Sequence, residues 1–192
     1  PVSLKLGEVL VKHGERHPQV TLQLKQGLTF ETLAGVQRGD LDCAYVLSDS
    51  EQSEGLELRR LGVVDLAVVL PLPVAEAHPD LSLDELVNLP WVGTPTSCIL
   101  RVHLDKLFAS AGREYQQGRP ADGESAIRSM VASGMGAGMM RLDQAEQGAR
   151  HGELAIWNGW RSHTWLCWVA PVDGRRAVSV DAVRGAVMEA WA

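Results

Sequence analysis

The chain is short of cysteine, of basic charge and of long apolar runs, and each shortage removes a class of function. Its three cysteines, Cys43, Cys98 and Cys167, lie far apart. They form no CxxC pair and no Cys/His cluster at metal-ligand spacing, so no metal or other cofactor is expected and a reducing, cytoplasmic setting is the simplest inference. Eighteen Lys and Arg against 24 Asp and Glu leave a formal charge of -6. Gripping a nucleic-acid backbone takes clustered cations, so any DNA contact is expected to come from outside this sequence. No apolar segment approaches the ~20 residues needed to span a bilayer, and no basic-then-apolar leader opens the chain. The sequence starts at Pro1 without an initiator Met, which leaves room for an upstream part.

What is present is a chain of 192 residues, 45% hydrophobic and 22% charged. That exceeds the common ~100–150 residues of one compact unit, so one large domain or two small lobes is expected. The stretch "LGEVLVKHGERHP" carries Leu6, Val9, Leu10 and His13 at helical spacing and stops at Pro18. "VTLQLKQG" alternates Val20, Leu22 and Leu24 against polar neighbours, which predicts a strand ending at Gly27. Thr29 is placed to cap the next helix, with Glu31 in its first turn, Leu33 and Val36 on its buried face and Gly39 as its stop. "LDCAYVL" then reads as an apolar strand, and strand, helix and strand with short turns predict a βαβ unit with a parallel pair.

Further along, "LELRRLGVVDLAVVLP" becomes too apolar in its second half for a surface strand. Ser82 and Glu85 form a capping-box pattern before Pro90, and "WV" opens another short strand. A helix follows, with Leu100, Leu104, Leu107 and Phe108 on one side and Gly112 after it; a later one carries Ile127, Met130 and Val131 and ends at Gly134. The run "MVASGMGAGMM" lacks the strand-first context and the G-x-G-x-x-G spacing of a dinucleotide fingerprint, and no Gly-Lys-Ser/Thr follows it. It predicts a helix end, a tight turn and a buried strand. Four of the six tryptophans, Trp157, Trp160, Trp165 and Trp168, lie in "ELAIWNGWRSHTWLCWVAP" and read as core and interface before they read as a ligand box. Ser179 is placed to cap a last helix with Val180, Val183, Val187 and Trp191 on one face.

The series 18–27 (P-x-V-x-L-x-L-x-x-G), Gly39-x-Leu41-Asp42, Leu89-Pro90-Trp91-Val92 and Val131-Ala132-x-Gly134-x-Gly136 resembles the effector-binding domain of LysR-type transcriptional regulators over nearly the whole chain. The resemblance implies an α/β fold of the periplasmic-binding-protein type 2 kind, with two Rossmann-like lobes joined by two crossover strands near residues 66–70 and 164–169. Residues 1–68 plus 166–192 would form lobe I and residues 69–165 lobe II. The family has a strand before the first helix: either "VSLKL" is that strand and the first helix is short, or the given sequence begins after it. Its winged helix-turn-helix DNA-binding domain would lie upstream, outside this chain. It further implies a homodimer, assembling in some members to a tetramer, with "LGEVLVKHGERHP" and the helix from Leu100 to Phe108 expected at the contact; DNA would be reached only through the missing domain.

In such a fold a small anion is expected in the inter-lobe cleft, where helix N-termini present unpaired N–H groups. Thr29 matches a family position that contacts effector, and Phe30 stands beside it. Leu47 and Ser48 end a strand, where ligands collect. Thr94, Thr96, Ser97 and Cys98 open a second-lobe helix, and Glu124 and Ser125 open another. These ten residues are the expected effector site, with no catalytic residues and no metal. Cys98 also admits a thiol redox-sensing alternative, because a helix N-terminus can depress a thiol pKa. An exported solute-binding protein is the other alternative, against which three unpaired cysteines weigh. A Cys98/His103 catalytic dyad is disfavoured, since residues five apart on one helix point to different faces.

Overall fold

The computed structural model describes residues 4–116, 118–173 and 177–192. Eight helices and six strands follow one another along them: α1 (Leu6–Arg16), α2 (Thr29–Arg38), β1 (Ala44–Ser48), β2 (Leu56–Leu70), α3 (Leu72–Ala77), α4 (Leu83–Leu86), β3 (Val92–Gly93), α5 (Ile99–Ser110), β4 (Arg119–Pro120), α6 (Glu124–Ala132), β5 (Gly138–Arg141), α7 (Leu142–Arg150), β6 (Ala155–Pro171) and α8 (Ala177–Ala190). The chain divides into two compact units, Pro1–Val63 with Trp165–Ala192, and Val64–Thr164. The long strands β2 and β6 are the two places where it passes from one unit to the other.

The first unit is built on β1 and the adjoining part of β6, paired antiparallel from Ala44↔Val169 to Ser48↔Trp165. One face buries Val36 of α2 with Val46, Leu56, Cys167 and Val169. The other buries Val9 of α1 with Trp168 and the Val180, Val183 and Val187 stripe of α8. Each such aliphatic side chain contributes roughly 1.5–3 kcal/mol on full burial. His13 joins the buried face of α1, its Nε2 lying 3.1 Å from the Val20 carbonyl.

Three expectations need correction in this unit, and a fourth, left open, falls partly outside the described residues. Residues 20–28 form no strand; alternation yields a strand only where a neighbour supplies backbone partners, and none of the described residues does so. Leu22 still packs into the core, but Leu24 is 58% exposed. The parallel βαβ pair is therefore absent among the described residues, and β1 runs antiparallel to its β6 neighbour. Leu4 and Lys5 of "VSLKL" form a tight turn, while Val2 and Ser3 lie outside the described residues. Ser179 sits inside α8, which begins at Ala177, rather than at its cap.

The second unit surrounds the apolar half of β2, whose residues Leu66, Ala67, Val68 and Val69 are fully buried and pair antiparallel with β5. Leu104, Leu107 and Phe108 of α5 pack with Trp91 and Met139 on one side. Ile127 and Val131 of α6 pack with Val92 and Met140 on the other. The capping box forms as its sequence requires: Ser82 N–H donates to Glu85 Oε2 at 2.9 Å, and Glu85 N–H to Ser82 Oγ at 3.3 Å.

The glycine run serves this packing. Gly134 takes the left-handed conformation (φ 79°) just after α6. Gly136 lies against the Pro90 carbonyl, where a side chain would collide with backbone. At Gly138 a Cβ would come 2.8 Å from Ile127 Cγ2 and 3.0 Å from Val131 Cγ2, so glycine lets α6 close onto β5. Of the four tryptophans, Trp168 is core, and Trp157 and Trp160 pack on the cluster around Phe108.

Candidate functional site

In the first unit, two predicted positions lie on the adjoining elements α2 and β1. Thr29 stands at the start of α2 and Ser48 at the end of β1, the strand that follows it. Thr29 is the first helical residue, not the cap: Leu28 occupies the cap position in an extended conformation, and no side chain bonds the opening N–H groups of α2. An apolar cap residue leaves those amides to whatever else approaches. Thr29 is 8% exposed, and Phe30 beside it is 41% exposed. Ser48 is buried at the end of β1, and its Oγ accepts the Ser50 N–H at 3.1 Å, which turns the chain; Leu47 is half-buried.

Behind that turn stands a group that sequence reasoning missed. The Arg60 guanidinium lies 4.5 Å from the centre of the Trp165 ring, bonds Glu51 at 2.8 Å and donates to the Asp49 carbonyl at 3.4 Å. Arg60 on β2 thus holds the loop that follows Ser48. The second of two adjacent arginines on a polar strand segment gives no sign of such a role.

In the second unit two helix N-termini emerge from one edge. β3 and β4 are parallel, Val92 opposite Arg119 and Gly93 opposite Pro120, and Trp91 bridges in parallel to Ala137. β3 leads into α5 and β4 into α6, so both helices start beyond the carboxyl ends of parallel strands, where ligands bind in such sheets. Neither start is capped by a side chain: Cys98 is the cap residue of α5 and Gly123 that of α6. Thr94 is 8% exposed, and its buried hydroxyl has no hydrogen-bond partner among the described residues. A buried hydroxyl without a partner costs free energy and marks a place where a polar group is wanted. Ser97 and Cys98 are half-buried beside it, whereas Thr96 and Ser125 are exposed.

Glu124 shares this corner with Arg141, the last residue of β5. Its Oε1 accepts the Arg141 backbone N–H at 2.8 Å, and its Oε2 lies 3.3 Å from Arg141 Nε. Arg141 is 5% exposed, and its Nε also approaches Asp143 at 3.2 Å. Neither Nε contact has hydrogen-bond geometry. Burial pushes the Glu124 carboxyl above its ordinary value, with the Arg141 charge and N–H opposing. The sequence signal was the arginine ending a wholly apolar strand, followed two residues later by Asp143.

The Cys98 thiol departs from the reactive-thiol expectation. Burial raises its pKa; the backbone N–H groups of Leu100 and Arg101 oppose this, and the carboxylates of Glu124 and Asp122 add to it. Here burial outweighs the helix N-terminus. His103 is buried elsewhere, with Nδ1 3.0 Å from Ser162 Oγ.

Among curated proteins, the chain is 25% identical over 140 residues to a probable RuBisCO transcriptional regulator of Synechocystis sp., covering 69% of this chain and 40% of that protein. A probable RuBisCO transcriptional regulator of Emiliania huxleyi is 25% identical over 137 residues, covering 66% and 42%. The chain thus spans about two fifths of the length of these relatives. Among solved structures, the effector binding domain of QuiR in complex with shikimate matches with a TM-score of 0.80 at 15% identity, covering 97% of this chain and 90% of that one. A reduced form of OxyR from N. meningitidis matches with a TM-score of 0.71 at 18% identity, covering 98% and 89%. These likenesses show the fold, the two-lobed α/β architecture of type 2 periplasmic-binding proteins. The model of the LysR substrate binding domain matches residues 2–191, and the chain belongs to that family.

Proposed function

We propose that this chain is the ligand-sensing part of a transcriptional regulator and that it binds a small carboxylate-bearing metabolite. The observation that carries the reading is the second unit's corner: an unpartnered buried Thr94 hydroxyl beside two uncapped helix N-termini. Such termini offer N–H donors and positive dipole ends to an anion. Thr29 at the uncapped start of α2 and Ser48 at the end of β1 supply the matching set in the first unit. Phe30 and Leu47 stand with the first unit's set, and Thr96, Ser97, Cys98, Glu124 and Ser125 with the second unit's, as proposed effector contacts of each unit. The shikimate complex of QuiR supports a carboxylate as the class of ligand.

The family is one of ligand-binding domains of regulators, and the role proposed here is binding without turnover. DNA would be contacted through another part of a longer protein, consistent with the share of the relatives that this chain spans. Homodimers in the cytoplasm are the proposed working form. No helix among the described residues is long and apolar enough to cross a membrane.

The test is a thermal-shift screen of the chain against small hydroxylated carboxylates, repeated on Thr94→Val. A ligand that binds only the folded state at about 100 times its Kd adds ~2.7 kcal/mol of stability. The reading expects at least one such ligand and a loss of most of its shift in the variant. A shift that survives Thr94→Val unchanged contradicts the site.

A further inference from the structure

A cavity in the second unit is lined by none of the residues at the starts of α5 and α6. It has a volume of about 550 Å³, within the range of roughly 300–1,000 Å³ found for small-molecule sites. Val87, Leu89, Arg113 and Arg119 line it, together with the small exposed parts of the buried rings Trp91 and Phe108. The loop carrying the two arginines is held at both ends by backbone bonds: Arg113 N–H donates to the Phe108 carbonyl at 3.0 Å, and Arg119 N–H to the Trp91 carbonyl at 2.9 Å. Between them, Gly118 N–H donates to the Tyr115 hydroxyl at 3.0 Å, and the Tyr115 ring stacks edge-on against Phe108. The floor is fixed as well, because Trp91 Nε1 donates to the Leu86 carbonyl at 3.2 Å.

The two arginines are therefore anchored through their backbones to the same aromatic floor, while their guanidinium groups have no carboxylate within ion-pair distance among the described residues. In a chain of net charge -6, two unpaired cations over one apolar floor are charge-complementary to an anion with a flat apolar body. Glu114, on the same loop and also lining the cavity, sets the local charge at about +1 and selects against a second anionic group on the ligand.

We propose that this cavity is a second small-molecule site, separate from the effector site above, and that it takes an amphipathic monocarboxylate. The apolar body lies over Leu89, Trp91 and Phe108, and the carboxylate meets Arg113 and Arg119, for which a guanidinium is the best-matched donor.

The probe is 2-naphthoate, titrated into the chain with the indole N–H of Trp91 followed by NMR and identified from its loss in Trp91→Phe. Saturable shifts at Trp91 are expected. Arg113→Gln combined with Arg119→Gln should weaken the affinity about fivefold or more, and Glu114→Gln should strengthen it. Neutral 2-naphthylmethanol should bind the double variant as it binds the unaltered chain, which also shows that the floor is intact. Thr94→Val should leave naphthoate binding unchanged. The proposal is overturned by the absence of saturable shifts at Trp91, by equal affinity in the double arginine variant, or by loss of binding in Thr94→Val, which would place the anion at the effector site.

Discussion

The carboxylate of Glu124 receives the backbone N–H of Arg141 at 2.8 Å while facing the same residue's guanidinium. One residue thus fixes the start of α6 both by main chain and by charge. Arg141→Leu would leave Glu124 and Asp143 without their shared cation. Because the Glu124 side chain is 27% exposed, the loss should fall at or below that of a fully buried pair, roughly 2–4 kcal/mol, read by denaturant unfolding. Glu124→Gln in the same chain should recover part of it, as expected for coupled neighbours.

The same carboxyl gives stability a pH dependence of defined sign. Its pKa is raised in the folded chain, chiefly by burial. Between the unfolded and folded values the folded state holds a proton that the unfolded state has released, so Glu124's contribution is complete below the unfolded value and lost as pH rises through the folded one. Thermal melts from pH 4 to 7 should show the unaltered chain losing stability relative to Glu124→Gln as pH rises. A difference that is flat, or that grows in the opposite direction, contradicts the buried placement.

Arg60 should govern the order of the loop after β1. Its stacking on Trp165 and its bonds to Glu51 and Asp49 are half-exposed contacts, worth about 0.5–1 kcal/mol for the cation–π part. Arg60→Gln should speed amide hydrogen exchange at residues 49–52 by about threefold to fivefold while leaving β1 protected. Equal exchange in the two chains would show that the serine turn at Ser48 and Ser50 suffices.

The thiols should be slow nucleophiles at neutral pH. Burial raises Cys98, and it pushes Cys43 and Cys167 up to about 11 each. Alkylation by iodoacetamide at pH 7 should be slow at all three and accelerate only above the ordinary thiol range, since the thiolate is the reacting form. Fast, selective modification of Cys98 with a midpoint below pH 7 would restore the redox-sensing alternative.

How far the sequence could be read depended on whether a pattern was local. Helices announced themselves through stripes such as Leu100, Leu104 and Leu107, and the Ser82/Glu85 box closed as written. The glycines at 134, 136 and 138 were legible as architecture because a dinucleotide loop needs a different spacing and context. What failed was non-local. Alternation at Val20, Leu22 and Leu24 said nothing about whether a partner strand exists, and "LDCAYVL" carried no mark of its antiparallel pairing with β6. Thr29 was displaced from cap to first helical residue by one position, the usual uncertainty of a helix boundary. The pairings of Arg141 and Arg60 were out of reach for the same reason, even though the arginine ending an apolar strand was a signal at Arg141: their partners lie 17 and 105 positions away in Glu124 and Trp165, and spacing rules reach only about four residues along a helix.

The central claim is that helix N-termini, not the aromatic cavity, hold the effector. Its most direct test is a map of backbone amide shifts in the ¹⁵N-labelled chain on titration with a carboxylate that stabilises it. The account predicts the largest shifts at the starts of α2, α5 and α6, around Thr29, at residues 94–99 and at Glu124, with the β4 loop at Arg113 and Arg119 little changed. Large shifts at Arg113, Arg119 and Trp91, with none near Thr29 and Thr94, would contradict it.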